Sequence, residues 1–270
     1  MINLLNTEWL KIKKYPAFWW IIGVTALSYP GINYIFHNVY NNLLQRNSQA
    51  AKITKALVGN PFSFPEAWHT VAFFSSFFVF IPAVVVIMLV TNEYNYRTHR
   101  QNVIDGWSRS QFMMAKFIDV SLVSLLITIL YIIVSVVIGS TNSTGTVDTW
   151  SLSYYAALFA LQTISQLSIA FLIGFLVKRA FIALGIFIFY FLIFENILVG
   201  VAKKYANDIG RFLPLEISDR LIPVPAFLGK FDKESYDKAL AVINYHIFYT
   251  IILTTIIWLI CFRVNNKRDL

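Results

Sequence analysis

The fold of this chain is decided around residues 92–116, which read NEYNYRTHRQNVIDGWSRSQFMMAK. This charged, amphipathic stretch, called the insert below, separates two apolar runs, Val71–Thr91 and Phe112–Gly139. Each run is long enough to cross a bilayer as a helix, which takes about 20 residues. A solvated segment tethered to two spanning helices can pass movement from the aqueous side into the membrane. The sequence therefore predicts a membrane protein in which the insert is connected directly to two spanning helices and can move them.

The composition excludes a soluble domain. Hydrophobic residues make up 57% of the chain and charged residues 13%, with a mean hydropathy of +0.63, whereas soluble domains carry about 25% charged residues. The apolar runs are continuous rather than alternating, which argues against the strands of a membrane barrel. We predict an all-α integral membrane protein, a single permease-like domain over residues 1–270. Its six transmembrane helices are expected at about Pro16–His37, Val71–Thr91, Phe112–Gly139, Leu152–Val177, Ala180–Val201 and His246–Phe262.

The distribution of lysine and arginine predicts the orientation. Cytoplasmic connections are enriched in these residues, and placing the N-terminus inside collects most of them on that side. Both termini are then cytoplasmic, and the net charge of +8 needs no nucleic-acid partner. The inside cations are Lys11, Lys13, Lys14, Arg97, Arg100, Arg109, Lys116, Lys178, Arg179, Arg263, Lys267 and Arg268.

Two further segments have a predicted place. Residues 1–15 carry apolar residues at helical spacing beside lysines, which is typical of an interfacial helix, or elbow helix, at the inner surface. Residues 202–245 form a long outer segment with three prolines and a charged helical patch, Asp232–Asn244. Because a structureless loop of that length is unusual, we expect short helices there, packed on the extracytoplasmic face. The single Cys261 and the scattered histidines predict neither a disulfide nor a metal site.

The insert has helical signals in its first half. Glu93 and Arg97 are four residues apart, as are Asp105 and Arg109, in the acid-first order that favours pairing along a helix. Gly106 is placed to end this short helix.

The second half of the insert predicts a firm start to the next helix. Ser108 and Gln111 have the spacing of a capping box, and Trp107 and Phe112 have that of a hydrophobic staple. Such a rigid connection would transmit force from the short helix to the third span.

With these residues the chain resembles the permease subunits of ABC exporters of the ABC-2 type. The family pattern between the second and third spans matches Glu93, Arg97-Thr98, Gly106, Ser108-Arg109 and Lys116, although Trp107 stands where the family usually has proline or a small residue. The resemblance covers the whole chain and implies a permease fold of that exporter type. It also implies that residues 92–110 form the coupling helix, which docks on an ATP-binding subunit. The coupling residues would be Glu93, Arg97, Arg100, Gly106 and Arg109.

The resemblance implies partners as well. The chain contains no phosphate-binding loop of the form GxxxxGK[ST], so ATP and Mg²⁺ would be bound by a separate subunit and this chain would need no cofactor and no catalytic residue of its own. The implied assembly has two ATP-binding cassette subunits and two permeases, identical or related, among membrane lipids in a bacterial cytoplasmic membrane. The cargo would be hydrophobic or amphipathic, of the peptide antibiotic, drug, lipid or glycan class.

A few polar residues inside the apolar runs are candidates for function. Glu195 lies in the outer third of the fifth run and, with Asn196, is either part of a translocation path or a structural hydrogen-bond acceptor. Asp119 is expected to pair locally with Lys116. His37, His69 and His246 are expected at the outer interface, and Pro30 and Pro82 are expected to kink the first and second spans.

Three other functions remain open at this point. An ion-coupled secondary transporter would place several ionisable groups near the midplane and show internal repeats, and the sequence offers Glu195 alone. An intramembrane enzyme would need a nucleophile with a base, or metal ligands, within the spans. A sensor or scaffold subunit of an ABC-type complex, which moves no cargo, is also compatible with the sequence.

Overall fold

The chain folds into a bundle of long helices in the computed structural model. The structure describes residues 9–10, 13–45, 59–96, 98, 101, 106–144, 148–205 and 208–267. The helices in these ranges are α1 Pro16–Gln45, α2 Ala67–Ser76, α3 Phe80–Asn95, α4 Arg109–Asn142, α5 Tyr155–Val177, α6 Ala180–Phe189, α7 Glu195–Tyr205, α8 Pro214–Asp219, α9 Ala226–Gly229, α10 Lys233–Ala241 and α11 Ile243–Lys267. No strand occurs in the described ranges, as the all-α prediction requires.

Four stretches of the described chain are long and apolar enough to cross a membrane, namely Arg109–Asn142, Tyr155–Val177, Ala180–Tyr205 and Ile243–Lys267. The pair α2 and α3 makes a fifth if the two helices count as one span. Helix α1 occupies the first predicted position but is not among them. It also extends to Gln45, beyond the predicted end at His37. Four to five spans are thus shown, and the count of six stays a prediction.

The second span is bent, as the proline there predicts. Helices α2 and α3 meet at 50° across residues 77–79, where backbone N–H groups bond three residues back rather than four. Pro82 stands in the first turn of α3, where its missing N–H costs least. Helix α1 contains Pro30 in its interior, and the kink expected there stays a prediction.

The fifth apolar run is interrupted by a π-helical turn. Residues Tyr190–Phe194 form this turn between α6 and α7. The Asn196 side chain donates to the carbonyls of Phe191 and Leu192, at 3.1 and 3.2 Å. The Asn196 side chain therefore provides a hydrogen-bond donor to carbonyls in the wider π turn.

Helix α5 lies at the centre of the bundle. It packs against α3, α4, α6 and α11, and most of its apolar stretch is buried. Gly174 allows α3 to come close, since a Cβ there would lie 2.6 Å from Cγ1 of Val90 and 3.4 Å from the Cα of Ile87. Small residues let helix backbones approach in this way inside a membrane.

The outer segment contains the predicted short helices. A 3₁₀ turn, Ile209–Phe212, precedes α8, and α9 and α10 follow. Asp232 caps α10 by accepting from the backbone N–H of Ser235 at 3.1 Å, within the charged patch named from the sequence. Helix α8 packs against α5 and α11. Of the predicted elbow helix, only residues 9–10 and 13–15 are described, and that helix stays a prediction.

Replacing Gly174 by valine is expected to lower the thermal unfolding temperature. The added carbons would collide with Val90 and with the α3 backbone, and overpacking of this kind costs about 1–3 kcal/mol. Gly185→Val is the matched control because a Cβ there meets no described atom within 4 Å. Thermal unfolding in detergent followed by size-exclusion chromatography measures both variants, and equal midpoints would contradict the close packing of α3 on α5.

Candidate functional site: the insert and the polar groups at both ends of the bundle

The insert lies at one end of the bundle, called the insert end below. Helix α3 stops at Asn95, Thr98 and Gln101 are helical, and α4 starts at Arg109. Gly106 has φ 95°, the left-handed conformation that glycine adopts without strain. Arg97, Arg100 and Asp105 lie outside the described residues, so the two predicted i,i+4 pairs stay predictions.

The predicted capping box at the start of α4 is confirmed. The Ser108 hydroxyl accepts from the backbone N–H of Gln111 at 3.1 Å, and the Gln111 side chain accepts from the backbone N–H of Ser108 at 2.8 Å. These two bonds satisfy N–H groups that the first turn of a helix leaves open. The chain therefore enters α4 at a set angle.

Arg109 connects α4 to the last helix. Its guanidinium donates to the carbonyl of Asn266 at 2.8 Å, and the Asn265 side chain donates to the Arg109 carbonyl at 2.9 Å. The sequence predicted a partner for Arg109 within the insert, and the described contacts show that it also ties the start of α4 to the end of α11.

Three charged side chains at the two ends of the insert are buried together. The Lys116 ammonium lies 2.7 Å from Oε1 of Glu93 and 3.1 Å from Oδ2 of Asp119. All three side chains are less than a tenth exposed. The predicted pairing of Lys116 with Asp119 is confirmed. The sequence pointed to Arg97 as the partner of Glu93, and the structure adds a second one, because α3 turns this carboxylate inward onto Lys116.

This cluster, called the Lys116 triad below, joins the two helices that flank the insert. Glu93 is on α3, whereas Lys116 and Asp119 are on α4. A buried ion pair holds its partners in one geometry, because separating them leaves a charge without compensation in an apolar medium. The end of α3 and the start of α4 are therefore held to each other as well as to the insert.

A second charged group reaches the same end from α5. Lys178 ends α5 in the left-handed conformation, with φ 60°. Its ammonium lies 5.0 Å from the centroid of the Tyr94 ring on α3, within the range of a cation–π contact. The short turn between α5 and α6 therefore lies beside the insert, as the predicted topology requires.

Glu195 is buried at the opposite end of the bundle, 3% exposed. Its Oε1 accepts from the backbone N–H groups of Leu215 and Glu216, both at 2.7 Å. These groups open helix α8, so the carboxylate anchors the outer segment. Asn196, in contrast, is exposed and bonds to the π turn, so the structure does not bring the two predicted path residues to one surface.

Two histidines near this end, which were predicted to lie at the outer interface, are buried instead. His69 is 1% exposed, bonds to the Pro223 carbonyl at 2.7 Å and stacks on Tyr155. His246 is 2% exposed, and its Nδ1 lies 3.1 Å from the Ile217 carbonyl. Both histidines therefore fasten the outer segment to the spans.

Three residues that sequence reasoning missed also hold the outer segment. Gln162 and Gln166 of α5 donate to Oδ1 of Asp219 at 2.8 and 2.7 Å. Two glutamines four residues apart share one helix face, and that spacing inside an apolar run could have marked them. Nothing in the sequence pointed to Asp219 as their partner, because only the fold brings residues 162 and 219 together.

Asp219 lies in a mixed environment. Loss of hydration among the surrounding protein atoms raises the pKa of Asp219 to about 7. The cavity beside the carboxylate has the opposite effect on the pKa, because water in the cavity solvates the charged form. Nearby, the Arg220 guanidinium pairs with Asp208 at 2.8 Å and lowers the pKa of that carboxyl. The described residues contain no group of histidine, cysteine, aspartate and glutamate suited to a metal ion.

These features define a polytopic helical membrane protein whose polar groups are paired at its two ends. A family model described as "ABC-2 family transporter protein" matches residues 4–194. The chain belongs to the ABC-2 transporter family. It is also 25% identical over 171 residues to the uncharacterized protein YhcI of Bacillus subtilis (strain 168), a match that covers 52% of this chain and 55% of that protein. The chain thus spans about half the length of that relative.

Replacing Lys116 by methionine is expected to destabilise the fold strongly. It would remove the ammonium that lies between two buried carboxylates, and breaking a buried pair from one side costs about 3–5 kcal/mol. Lys238→Met is the control, because Lys238 pairs with Glu234 on the exposed face of α10, where such pairs contribute little. Thermal unfolding in detergent compares the two, and an equal effect would contradict the burial of the Lys116 triad.

Glu195 is expected to tolerate glutamine better than leucine. Glutamine keeps an oxygen that can accept from Leu215 and Glu216, whereas leucine leaves two N–H groups unbonded at about 1–3 kcal/mol each. Thermal unfolding ranks the variants, with exposed Asn196→Leu as a comparison. Equal stability of Glu195→Gln and Glu195→Leu would show that Glu195 does not anchor α8.

Proposed function

We propose that this chain is the membrane-spanning subunit of an ATP-driven exporter. The two permeases of the assembly, identical or related, would be driven by two ATP-binding cassette subunits that hold ATP and Mg²⁺. Family membership and the spans support the membrane role, and family analogy supports the partner, the copy number and the outward direction.

The observation that carries the proposal is the stiff attachment of the insert. The capping box sets its exit into α4, the Lys116 triad ties α3 to α4, and Arg109 ties α4 to α11. A push on residues 92–110 would therefore reach three long helices together. A passive loop between two spans needs no such set of buried and capped connections.

The proposed orientation puts the insert end in the cytoplasm. Lys13, Lys14, Arg109, Lys178 and Arg179 belong to connections at this end, in line with the enrichment of cations on the inner side. The N-terminal helix over residues 1–15 would lie in the inner interface, and the segment 202–245 would face outward. The membrane would be the cytoplasmic membrane of a bacterium, crossed by six spans.

The proposed cargo is hydrophobic or amphipathic, of the peptide antibiotic, drug, lipid or glycan class. Helix α6 supports this proposal, because most of its side chains are exposed in the single chain and are aliphatic or aromatic, including Phe181, Ile186 and Phe189. A face of this kind suits lipid, a second permease or an apolar cargo. It offers no charged groups for a small polar substrate.

Gly106 gives the sharpest test of coupling. Valine there is strained at φ 95° but has open space among the described residues, so Gly106→Val changes the shape of the insert and leaves the bundle packed. We expect the ATP-binding subunit to be lost on co-purification, or ATP hydrolysis to continue without transport. Arg97→Glu is expected to act in the same way.

Gly200→Val is the matched control, since Gly200 also has open space but lies in regular α7. The readouts are ATPase activity and transport by the reconstituted complex. Normal coupled transport by Gly106→Val would overturn the assignment of the insert as a coupling helix.

A further inference from the structure

A cavity of about 550 Å³ lies at the end of the bundle opposite the insert. It is formed where the outer segment meets the ends of three candidate spans, and is called the Asp219 cavity below. Its walls include Phe73 of α2, Lys203 of α7, Asp219 of α8, Lys238 of α10 and His246 of α11. This size suits the polar part of a small amphipathic molecule.

The inner wall of the cavity carries an anionic group with neutral partners. Asp219 receives its two hydrogen bonds from the amides of Gln162 and Gln166, both at Oδ1. Both glutamines are almost completely buried, so the carboxylate is held in one position. Among the described residues, no hydrogen bond reaches Oδ2, and Asp219 itself is exposed to the cavity.

The nearest guanidinium does not neutralise this group. Arg220 donates from Nη1 and Nη2 to Asp208, both at 2.8 Å, and from Nε to Glu216 at 2.7 Å. Its single positive charge is thus shared by two carboxylates. The side of the cavity near Asp219 therefore has an excess of negative charge, which a hydrogen-bonding cation would balance.

The cavity wall also carries the opposite charge. Lys203, Arg211 and Lys238 line the cavity with exposed side chains, and the Lys238 ammonium is paired with Glu234. Apolar side chains, among them Phe73 and Val242, complete the wall. A ligand that matches all three features has an amine, an anionic group and an apolar tail.

We propose that the Asp219 cavity binds the head group of an aminophospholipid, with the ammonium at Asp219 and the phosphate at Lys203. The cavity lies at the ends of the spans, which is the depth of lipid head groups. A primary ammonium donates hydrogen bonds to the carboxylate, whereas the quaternary amine of a choline head group has no N–H to donate. The proposal goes beyond transport and holds whether or not the chain moves a cargo.

The test is native mass spectrometry of the full-length chain at pH 8, where Asp219 is ionised. The probes are phosphatidylethanolamine, its N-methyl and N,N-dimethyl forms, phosphatidylcholine and phosphatidylglycerol, all with the same acyl chains. We expect retention to fall with each added methyl group, by about 10-fold overall, the worth of a charged hydrogen bond. Equal retention of the ethanolamine and choline lipids by the unmodified chain would overturn the proposal.

Variants separate the two halves of the head-group site. Asp219→Asn keeps the size of the side chain and should abolish the preference for ethanolamine over choline. Lys203→Met should weaken both lipids to a similar extent, because both carry the phosphate. Asp237→Asn on exposed α10 is the matched control, with the same change of charge, and should leave the preference unchanged.

The remaining outcomes also decide the matter. Preferential retention of phosphatidylglycerol would show a site for anions alone and would overturn the proposal. An unchanged ethanolamine preference in Asp219→Asn, in a variant that unfolds at the wild-type temperature, would do the same. None of these measurements requires the ATP-binding subunit, so their failure is distinct from a failure of the proposed export function.

Discussion

The structure depends on the absence of hydrogen-bonding solvent around its long helices. In a bilayer a buried polar side chain must find its partner inside the bundle or lose several kcal/mol. Three polar side chains of helix α5 have such partners: Gln162 and Gln166 bond to Asp219, and Ser168 accepts from the indole of Trp258 at 3.0 Å. These bonds reach two other elements, α8 through Asp219 and α11 through Trp258. The central helix therefore positions the outer segment and the last helix at once.

The two ends of the bundle solve the same problem in different ways. At the insert end a lysine is placed between two carboxylates, and a capped helix start and the Arg109 contacts add stiffness. At the opposite end Glu195 and Asp219 have neutral partners, since backbone N–H groups donate to Glu195 and glutamine amides donate to Asp219. The first arrangement suits the passage of force between helices. The second leaves the Oδ2 atom of Asp219 able to accept a hydrogen bond from a ligand in the cavity.

The overall fold was largely predictable because the length and apolar composition of membrane helices can be recognised in a sequence. Helices lie at the predicted positions, four or five of them apolar enough to span a membrane, and the capping box was readable because it is local, within four residues. The bend of the second span followed from Pro82 in the same way. The end of α1 was misjudged because polar residues such as Asn38 and Asn41 mark the end of an apolar run but do not stop a helix.

The candidate sites were harder to predict because they depend on which helix faces which. Glu93 was expected to pair with Arg97 along its own helix, and only the packing of α3 against α4 brings it to Lys116. Glu195 suggested a transport path because an acid in a span is costly, and the outer segment supplies it with two N–H donors from residues 20 and 21 positions away. His69 and His246 were expected at an interface and are instead covered by the same segment.

The sequence by itself determined the class of molecule, the approximate position of its spans and the presence of a rigid, charged insert. Those features follow from composition and from contacts between residues a few positions apart. Such contacts form within one segment of the chain and do not depend on how the helices pack. Only the tertiary structure decided that Glu93, Lys116 and Asp119 form one cluster and that Gln162, Gln166 and Asp219 form another. Such groups are brought together by helix packing, and the energy of pairing buried polar atoms is realised only when the helices have met.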